Sequence, residues 1–193
     1  MNVKSGKFVL NLGCGEQTYG DVRVDLYRCK ANLLADVEKP LPLKDEVFDE
    51  VYSRFLFEHL KNPSNVLGEM VRVLKHGGKL VLVTDNAAFP PFHLPPIFGS
   101  GFHAGGYKSA GPKDKHYGAY TLEHIRNHLK EIGLQVVLIK YTYAEDVGGK
   151  GGAWQKFCKI LKLHRCSLFR PFCMPNIVAV GIKPIKHHSI RRK

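Results

Sequence analysis

The sequence predicts an α/β fold: an open, Rossmann-like seven-stranded sheet, mostly parallel with an antiparallel last strand, and helices on both faces. Three observations carry this expectation. Short apolar stretches with strand character alternate with amphipathic helical stretches. The first strand runs directly into a glycine turn, Gly13-Cys14-Gly15. The last two strand-like stretches are joined by an irregular excursion instead of a clean helix, which suits an antiparallel pair. With 193 residues, 44% of them hydrophobic, the chain is long enough to bury a core and is expected to form one domain over residues 1–193.

The elements follow in order. Lys7–Leu12 reads as a buried strand, followed by Val22–Asp25, Asn32–Val37 and Val47–Phe55, the last with mostly alternating apolar positions. Asn62–Leu74 reads as a helix: Asn62 suits the cap, Pro63 suits the first turn, and Val66, Leu67, Met70, Val71 and Leu74 share one face. Gly77-Gly78 is expected to stop it. Lys79–Thr84 is the fifth strand and ends at Asp85. Residues 86–118 hold five Pro and six Gly in 33 positions, the composition of a long loop that serves as a lid or binding segment. Thr121–Ile132 is a helix stopped by Gly133, with Leu122, Ile125, Leu129 and Ile132 inward. Leu134–Tyr143 and Asn176–Ile182 are the last strands. Between them lies an insertion, residues 144–175, and after them a basic tail, 186–193.

Composition removes several classes. Charged residues are 24% and aromatics 10%, which is globular and neither disordered nor collagenous. No apolar run reaches the roughly 18–20 residues of a membrane span. The N-terminal stretch is too short in apolar residues for a signal peptide. Five cysteines, an odd number, argue against a disulfide framework, so a soluble cytoplasmic protein with reduced thiols is expected. The net charge of +12 is unevenly spread: residues 1–146 hold 18 Lys/Arg against 17 Asp/Glu, whereas residues 147–193 hold 11 Lys/Arg and no acid. That asymmetry suggests an anionic partner, such as nucleic acid, a lipid surface or a phosphorylated substrate, beside the alternative of a solvated basic face.

Ligands of open α/β sheets bind at the carboxyl ends of the strands. That rule selects Gly13–Glu16, Asp25, Asp36, Ser53–His59 and Asp85. The glycines let a ligand approach the backbone. A carboxylate at Asp25 can accept both hydroxyls of a ribose. One at Asp36 can accept from the amine of adenine. Each acid alone is better explained as a turn or cap residue; the three features in order reverse that preference. A dinucleotide site would need a third glycine at position 18, which is Thr18, and a helix N-terminus for the pyrophosphate. Only about six residues separate Gly15 from the second strand, which leaves no room for such a helix.

The ordered set Leu12-Gly13-Cys14-Gly15, Asp25, Asp36, Leu41–Asp49, Glu58-His59-Leu60 and Arg72–Leu80 resembles class I S-adenosylmethionine-dependent methyltransferases, most closely the type 11 group with a reduced first helix. The resemblance covers residues 7–85 well and continues weakly to the last strands. One departure is His76, where the family commonly has proline. The resemblance implies S-adenosylmethionine as cofactor. It also implies roles for Gly13, Cys14 and Gly15 at the methionine and ribose, for Asp25 at the ribose with Leu26 beside the adenine, and for Asp36 and Val37 at the adenine edge. Ser53 and Arg54 would sit by the amino-acid end. Cys14 is then a wall residue and no nucleophile.

Methyl transfer by in-line displacement rests largely on alignment, and a base is needed only for a protonated acceptor. His59 is the best-placed candidate base, with packing under the cofactor as its plainer role. His103, Tyr107, His116 and Tyr117 are candidates for the acceptor pocket. The segment Ser53-Arg54-Phe55-Leu56 lacks the Asn/Asp-Pro-Pro-aromatic motif of amino-methylating enzymes. Cys158, Cys166 and Cys173 fit no common zinc spacing, and no H-E-x-x-H run exists, so no metal is expected. In the insertion, Trp154, Phe157, Cys158, Leu161 and Leu168 can share an apolar helical face with lysines largely off it. That pattern suits a membrane-surface helix, a positive rim for RNA, or a helix that closes the core. The expected function is methyl transfer to a small-molecule, glycan or lipid-linked acceptor. The alternatives are an RNA or protein methyltransferase and, third, a non-enzymatic cofactor-binding module.

Overall fold

In the computed structural model, residues 6–93 and 115–185 are described here. The strands are β1 (Val9–Leu12), β2 (Val22–Asp25), β3 (Leu33–Leu34), β4 (Phe48–Arg54), β5 (Leu74–Asp85), β6 (Gln135–Thr142) and β7 (Asn176–Ile182). They form one sheet in the order β3-β2-β1-β4-β5-β7-β6. The pairs from β3 to β5 are parallel, and β7 runs antiparallel to both β5 and β6. This is the Rossmann-like sheet that the sequence predicts. β2 and β7 keep their expected bounds; β3 shrinks to two residues at the sheet edge.

The registers sort the side chains onto two faces. Leu10, Val51 and Leu80 make one row, and Leu12, Ser53, Leu82 and Ala179 make the next row of the same face. Val66, Leu67 and Met70 of helix α1 (Pro63–Val73) and Ile125 and Leu129 of helix α2 (Leu122–Glu131) join those strand residues in one core cluster. Both long helices therefore pack on this face. On the other face lie Asn11, Tyr52, Val81 and Val180, with Glu50 buried among them. Glu50 accepts from the Tyr19 hydroxyl at 2.7 Å and pairs with Lys79 at 3.0 Å, and the Tyr19 ring stands edge-on to Tyr52. Arg54 projects on this second face too, and its guanidinium donates to the Val147 carbonyl. That contact ties the segment leading into α3 (Ala153–Ile160) to the face.

The ends of α1 differ from expectation. Asn62 stands at the cap position, but its side chain makes no capping bond. Glu38 Oε1 fixes the approach to the helix, accepting from the Lys61 and Asn62 amides at 2.8 and 2.9 Å. At the other end, Gly77-Gly78 does not stop the helix. The helix ends at Val73, and Leu74 already pairs with Phe48 in the sheet. The carbonyls of Val71 and Leu74 are satisfied by Lys183 Nζ at 2.8 and 2.7 Å. Gly77 (φ +78) instead shapes the irregularity in β5 that lies between the Phe48–Leu74 and Glu50–Lys79 pairs. Thr121 does cap α2, in a capping box with His124, and Gly133 (φ +81) ends it as expected.

Lys183 is thus a helix cap supplied from the far end of the chain. Lys183→Met leaves both carbonyls without their donor and should lower stability by about 1–3 kcal/mol, the cost of unsatisfied buried polar groups. Urea unfolding of the two proteins at neutral pH measures this; an unchanged midpoint would remove Lys183 from that role.

Candidate functional site

The site begins at the carboxyl end of β1. Gly13 takes φ +68 and Gly15 φ +49, a region that side-chain-bearing residues avoid. A Cβ on Gly13 would meet the Leu56 side chain at 2.9 Å, so Leu56 closes over this turn. The Gly13 and Cys14 amides donate to the Val24 carbonyl at 2.9 and 3.1 Å. The Gly15 amide donates to Asp25 Oδ2 at 2.9 Å, and the Tyr27 amide to Asp25 Oδ1 at 3.0 Å. One carboxylate therefore fixes both the turn after β1 and the turn after β2. Each of its oxygens keeps a further lone pair for a ligand hydroxyl. No helix stands between Gly15 and Val22, so this edge has no helix N-terminus for a pyrophosphate.

Cys14 is fully buried, and its thiol lies 4.0 Å from that of Cys29. Burial first, then the neighbouring Cys29, pushes the Cys14 thiol up to about 12, which keeps it protonated and poorly nucleophilic. With Asp25 the two thiols form the one cluster of metal-ligand types among the described residues. Asp36 follows β3, which pairs with β2, so it stands at the same edge as Asp25. Its Oδ1 accepts from the Glu38 amide at 3.0 Å, in an Asx turn. The Val37 side chain belongs to the core, and Leu26 is exposed.

At the end of β4, Ser53 and Arg54 separate. Ser53 pairs with Leu12 on the core face, and its buried hydroxyl makes no hydrogen bond among the described residues. Arg54, on the opposite face, is committed to Val147 of the insertion. Phe55 then adopts φ +54, an uncommon conformation for a bulky residue and one that clusters at functional sites. It turns the chain so that Leu56 lies over Gly13. His59 follows: its Nδ1 is 3.2 Å from the Lys115 carbonyl, and its ring stands edge-on to His116, with centroids 4.2 Å apart. The Tyr117 and Gly118 amides both donate to the Glu58 carbonyl. These contacts bring His116 and Tyr117 to His59. His103 and Tyr107 lie outside the described residues.

Three further groups belong to this edge. Glu58 is buried and accepts from the Thr84 hydroxyl at 2.9 Å. Asn86, fully buried after β5, donates from Nδ2 to the Pro171 and Met174 carbonyls at 2.7 and 2.8 Å, and from its amide to Pro175 at 2.7 Å. Asp85 makes no ion pair among the described residues, and burial pushes its carboxyl up to about 7. Its position at a strand end was the available signal. The burial was not visible in the sequence.

A model for the methyltransferase domain, type 11, matches residues 17–82. Residues 17–82 of this chain are thus similar to that family's domain. A demethylmenaquinone methyltransferase of Paenarthrobacter aurescens is 33% identical over 101 residues, which are 42% of this chain and 40% of that protein. An uncharacterised protein of Methanocaldococcus jannaschii is 28% identical over 108 residues, 55% of this chain and 48% of that one. The match thus spans less than half the length of either relative. Among solved structures, a candidate methyltransferase of Haloferax volcanii, in complex with the Trm112 methyltransferase activator, superposes with a TM-score of 0.61 at 20% identity, over 97% of this chain and 86% of that one. An S-adenosylmethionine-dependent methyltransferase of Archaeoglobus fulgidus gives 0.61 at 18% identity, over 93% and 87%. The family match and the fold together imply S-adenosylmethionine as cofactor. The residues present fit it: a glycine turn open to close approach, a carboxylate with free lone pairs, and an orphaned buried hydroxyl on Ser53.

Asp85 supplies a pH test. Its folded value, about 7, exceeds the ordinary 3.8, so the folded state holds a proton that the unfolded state has lost. Its contribution to stability therefore falls as pH rises from about 4 to about 7. Asp85→Asn fixes the neutral form. The variant should gain thermal stability over the parent through that window and keep the gain at about pH 8. Equal melting temperatures at about pH 5 and pH 8 would show that Asp85 is ordinarily ionised.

Proposed function

We propose that this chain is an S-adenosylmethionine-dependent methyltransferase whose acceptor is a small molecule, a glycan or a lipid-linked compound selected by the insertion 144–175. The observation that carries the reading is the Asp25 carboxylate clasping the Gly15 and Tyr27 amides at an edge without a helix. Such an edge suits a nucleoside ligand that lacks a pyrophosphate. Asp25 would receive the ribose hydroxyls, Asp36 the adenine amine, and the Gly13–Gly15 backbone and Ser53 the remainder of the cofactor. When bound, the cofactor supplies a sulfonium methyl that needs no further activation.

The chain's own residues then have to align an acceptor and, where it carries a proton, remove it. A hydrogen bond from His59 Nδ1 to the Lys115 carbonyl leaves Nε2 as the acceptor nitrogen, which is the form a base requires. Asp85, titrating near neutral pH at the end of β5, is the second candidate. His116 and Tyr117 stand beside His59 and would line the acceptor's approach. The insertion is anchored to Arg54 and Asn86, at the carboxyl ends of β4 and β5, which supports a position beside the cleft. From residue 147 to 175 it holds six Lys/Arg and no acid, which favours an anionic acceptor, and a nucleic acid is the second such class. All five cysteines are free, in keeping with a cytoplasmic setting.

Calorimetric titration with S-adenosylmethionine, and in parallel with NAD, tests the reading. Binding of the first in the micromolar range without response to the second is expected. Asp25→Ala should weaken that binding by more than about 1 kcal/mol, the net value of a hydrogen bond to a charged group. Wild-type affinity in the variant would move the site elsewhere. His59→Ala should bind the cofactor normally and lose turnover only if His59 is the base.

A further inference from the structure

We propose that the outer surface of the insertion is a docking site for an anionic lipid membrane, carried by Phe157, Ile160, Leu161, Leu168, Phe169 and Phe172 together with the lysines and arginines among them. The first ground is an inversion of the usual helix pattern. A helix that closes a core turns its apolar residues inward. In α3 the buried residues are Gln155 and Cys158, while Phe157 and Ile160 face out, Ile160 at 76% exposure. Gln155 Oε1 accepts from the Ala144 amide at 3.2 Å, which holds the polar side in place. Lys162 (φ 56) ends the helical run at Leu161 and turns the chain toward α4 (Arg170–Cys173). Leu168 stands 71% exposed in that connection, and Phe169 and Phe172 are exposed beside it. The Trp154 indole donates to the Phe172 carbonyl at 2.7 Å, so the two helical pieces present one surface. Apolar side chains grouped in this way mark an interaction surface.

Charge selects the occupant. Residues 147–175 hold six Lys/Arg and no Asp or Glu. Among the described residues only Lys159 of these six makes an ion pair, with Glu145 at 3.2 Å. Exposed aliphatic and aromatic side chains interleaved with unpaired cations are the composition of a segment lying in a lipid interface, with the cations reaching anionic headgroups. A nucleic acid would use the cations and the aromatic rings, but Ile160, Leu161 and Leu168 offer nothing to stack on a base. Hydrocarbon takes all of them. No helix among the described residues is long and apolar enough to cross a membrane, so the contact is peripheral.

The anchors to Arg54 and Asn86 set this surface next to the carboxyl edge of the sheet. A docked membrane would therefore present a lipid-linked acceptor to the cleft; this last step rests on the proposed methyltransferase function, whereas the docking itself does not.

The test uses the full chain, with no cofactor, and sedimentation with vesicles of phosphatidylcholine alone or with about 30% phosphatidylglycerol. Trp154 is the single tryptophan, so its emission reports on the surface directly. Binding to the anionic vesicles, with a blue shift of that emission, is expected, and at least about tenfold weaker binding to the neutral ones. The double variant I160D/L168D changes only exposed positions. It should lose at least about tenfold in vesicle affinity while its melting temperature and its S-adenosylmethionine titration stay unchanged. Three results would each overturn the proposal. They are absence of binding to anionic vesicles at about 0.1 M salt, undiminished binding by I160D/L168D, and release from the vesicles by a single-stranded RNA oligonucleotide. None of them bears on cofactor binding, which the separate titration decides.

Discussion

The arrangement of the β1–β2 edge depends on one carboxylate. Asp25 accepts an amide from the turn after β1 and another from the turn after β2, at the carboxyl ends of the two strands that a first crossover helix would otherwise connect. A helix in that place would dock the two strands through its apolar face and offer its N-terminus to a phosphate. Here neither contribution exists, and a charge-assisted pair of hydrogen bonds performs the docking. The consequence is chemical as well as structural. An edge held by a carboxylate accepts hydroxyls, and the missing helix leaves no N-terminus there for a pyrophosphate. The strain at Phe55 fits the same economy. Its left-handed turn lays Leu56 over Gly13.

Much of this was legible in the sequence, because its signals are local. Val22–Asp25 and Asn176–Ile182 announce themselves by composition and by the polar residues that end them, and their observed bounds are the expected ones. Gly133 stops α2 because the stop signal and the helix are neighbours in sequence. The errors lie where a remote group overrides a local one. Gly77-Gly78 has the look of a helix stop, yet Lys183 satisfies the helix carbonyls from over a hundred positions away, which frees the glycines to shape the irregularity in β5. Asn62 has the look of a cap, yet its side chain makes no capping bond, and the remote Glu38 holds the Lys61 and Asn62 amides just before the helix. In the site, Gly13, Asp25 and Asp36 could be located from strand ends. The meeting of Cys14 with Cys29, and the burial that raises Asp85, are products of the packed fold and have no counterpart in spacing.

The insertion shows the same limit in its sharpest form. Its periodicity permits an apolar face, and periodicity cannot say which way a face points. The direction is set by two polar residues, Gln155 and Asn86. Gln155 accepts the Ala144 amide from inside, and Asn86 draws the Pro171 and Met174 carbonyls against the end of β5. With the polar atoms consumed inward, the hydrophobic residues have only the outside left. Buried polar groups must be satisfied before apolar ones are sheltered, because an unpaired amide costs more than an exposed methyl group. An apolar surface that results from such a conflict would persist only if something covered it.

This ordering of constraints links the two ends of the molecule. At the β1–β2 edge a carboxylate joins two turns where no helix stands; at the β4–β5 edge an asparagine holds the backbone of the insertion. Both groups sit at or just past the carboxyl ends of parallel strands, where the sheet leaves its last amides and carbonyls without strand partners. Buried polar side chains placed there act as connectors first. What they leave open, two carboxylate lone pairs in one case and an apolar face in the other, is what remains available for ligands.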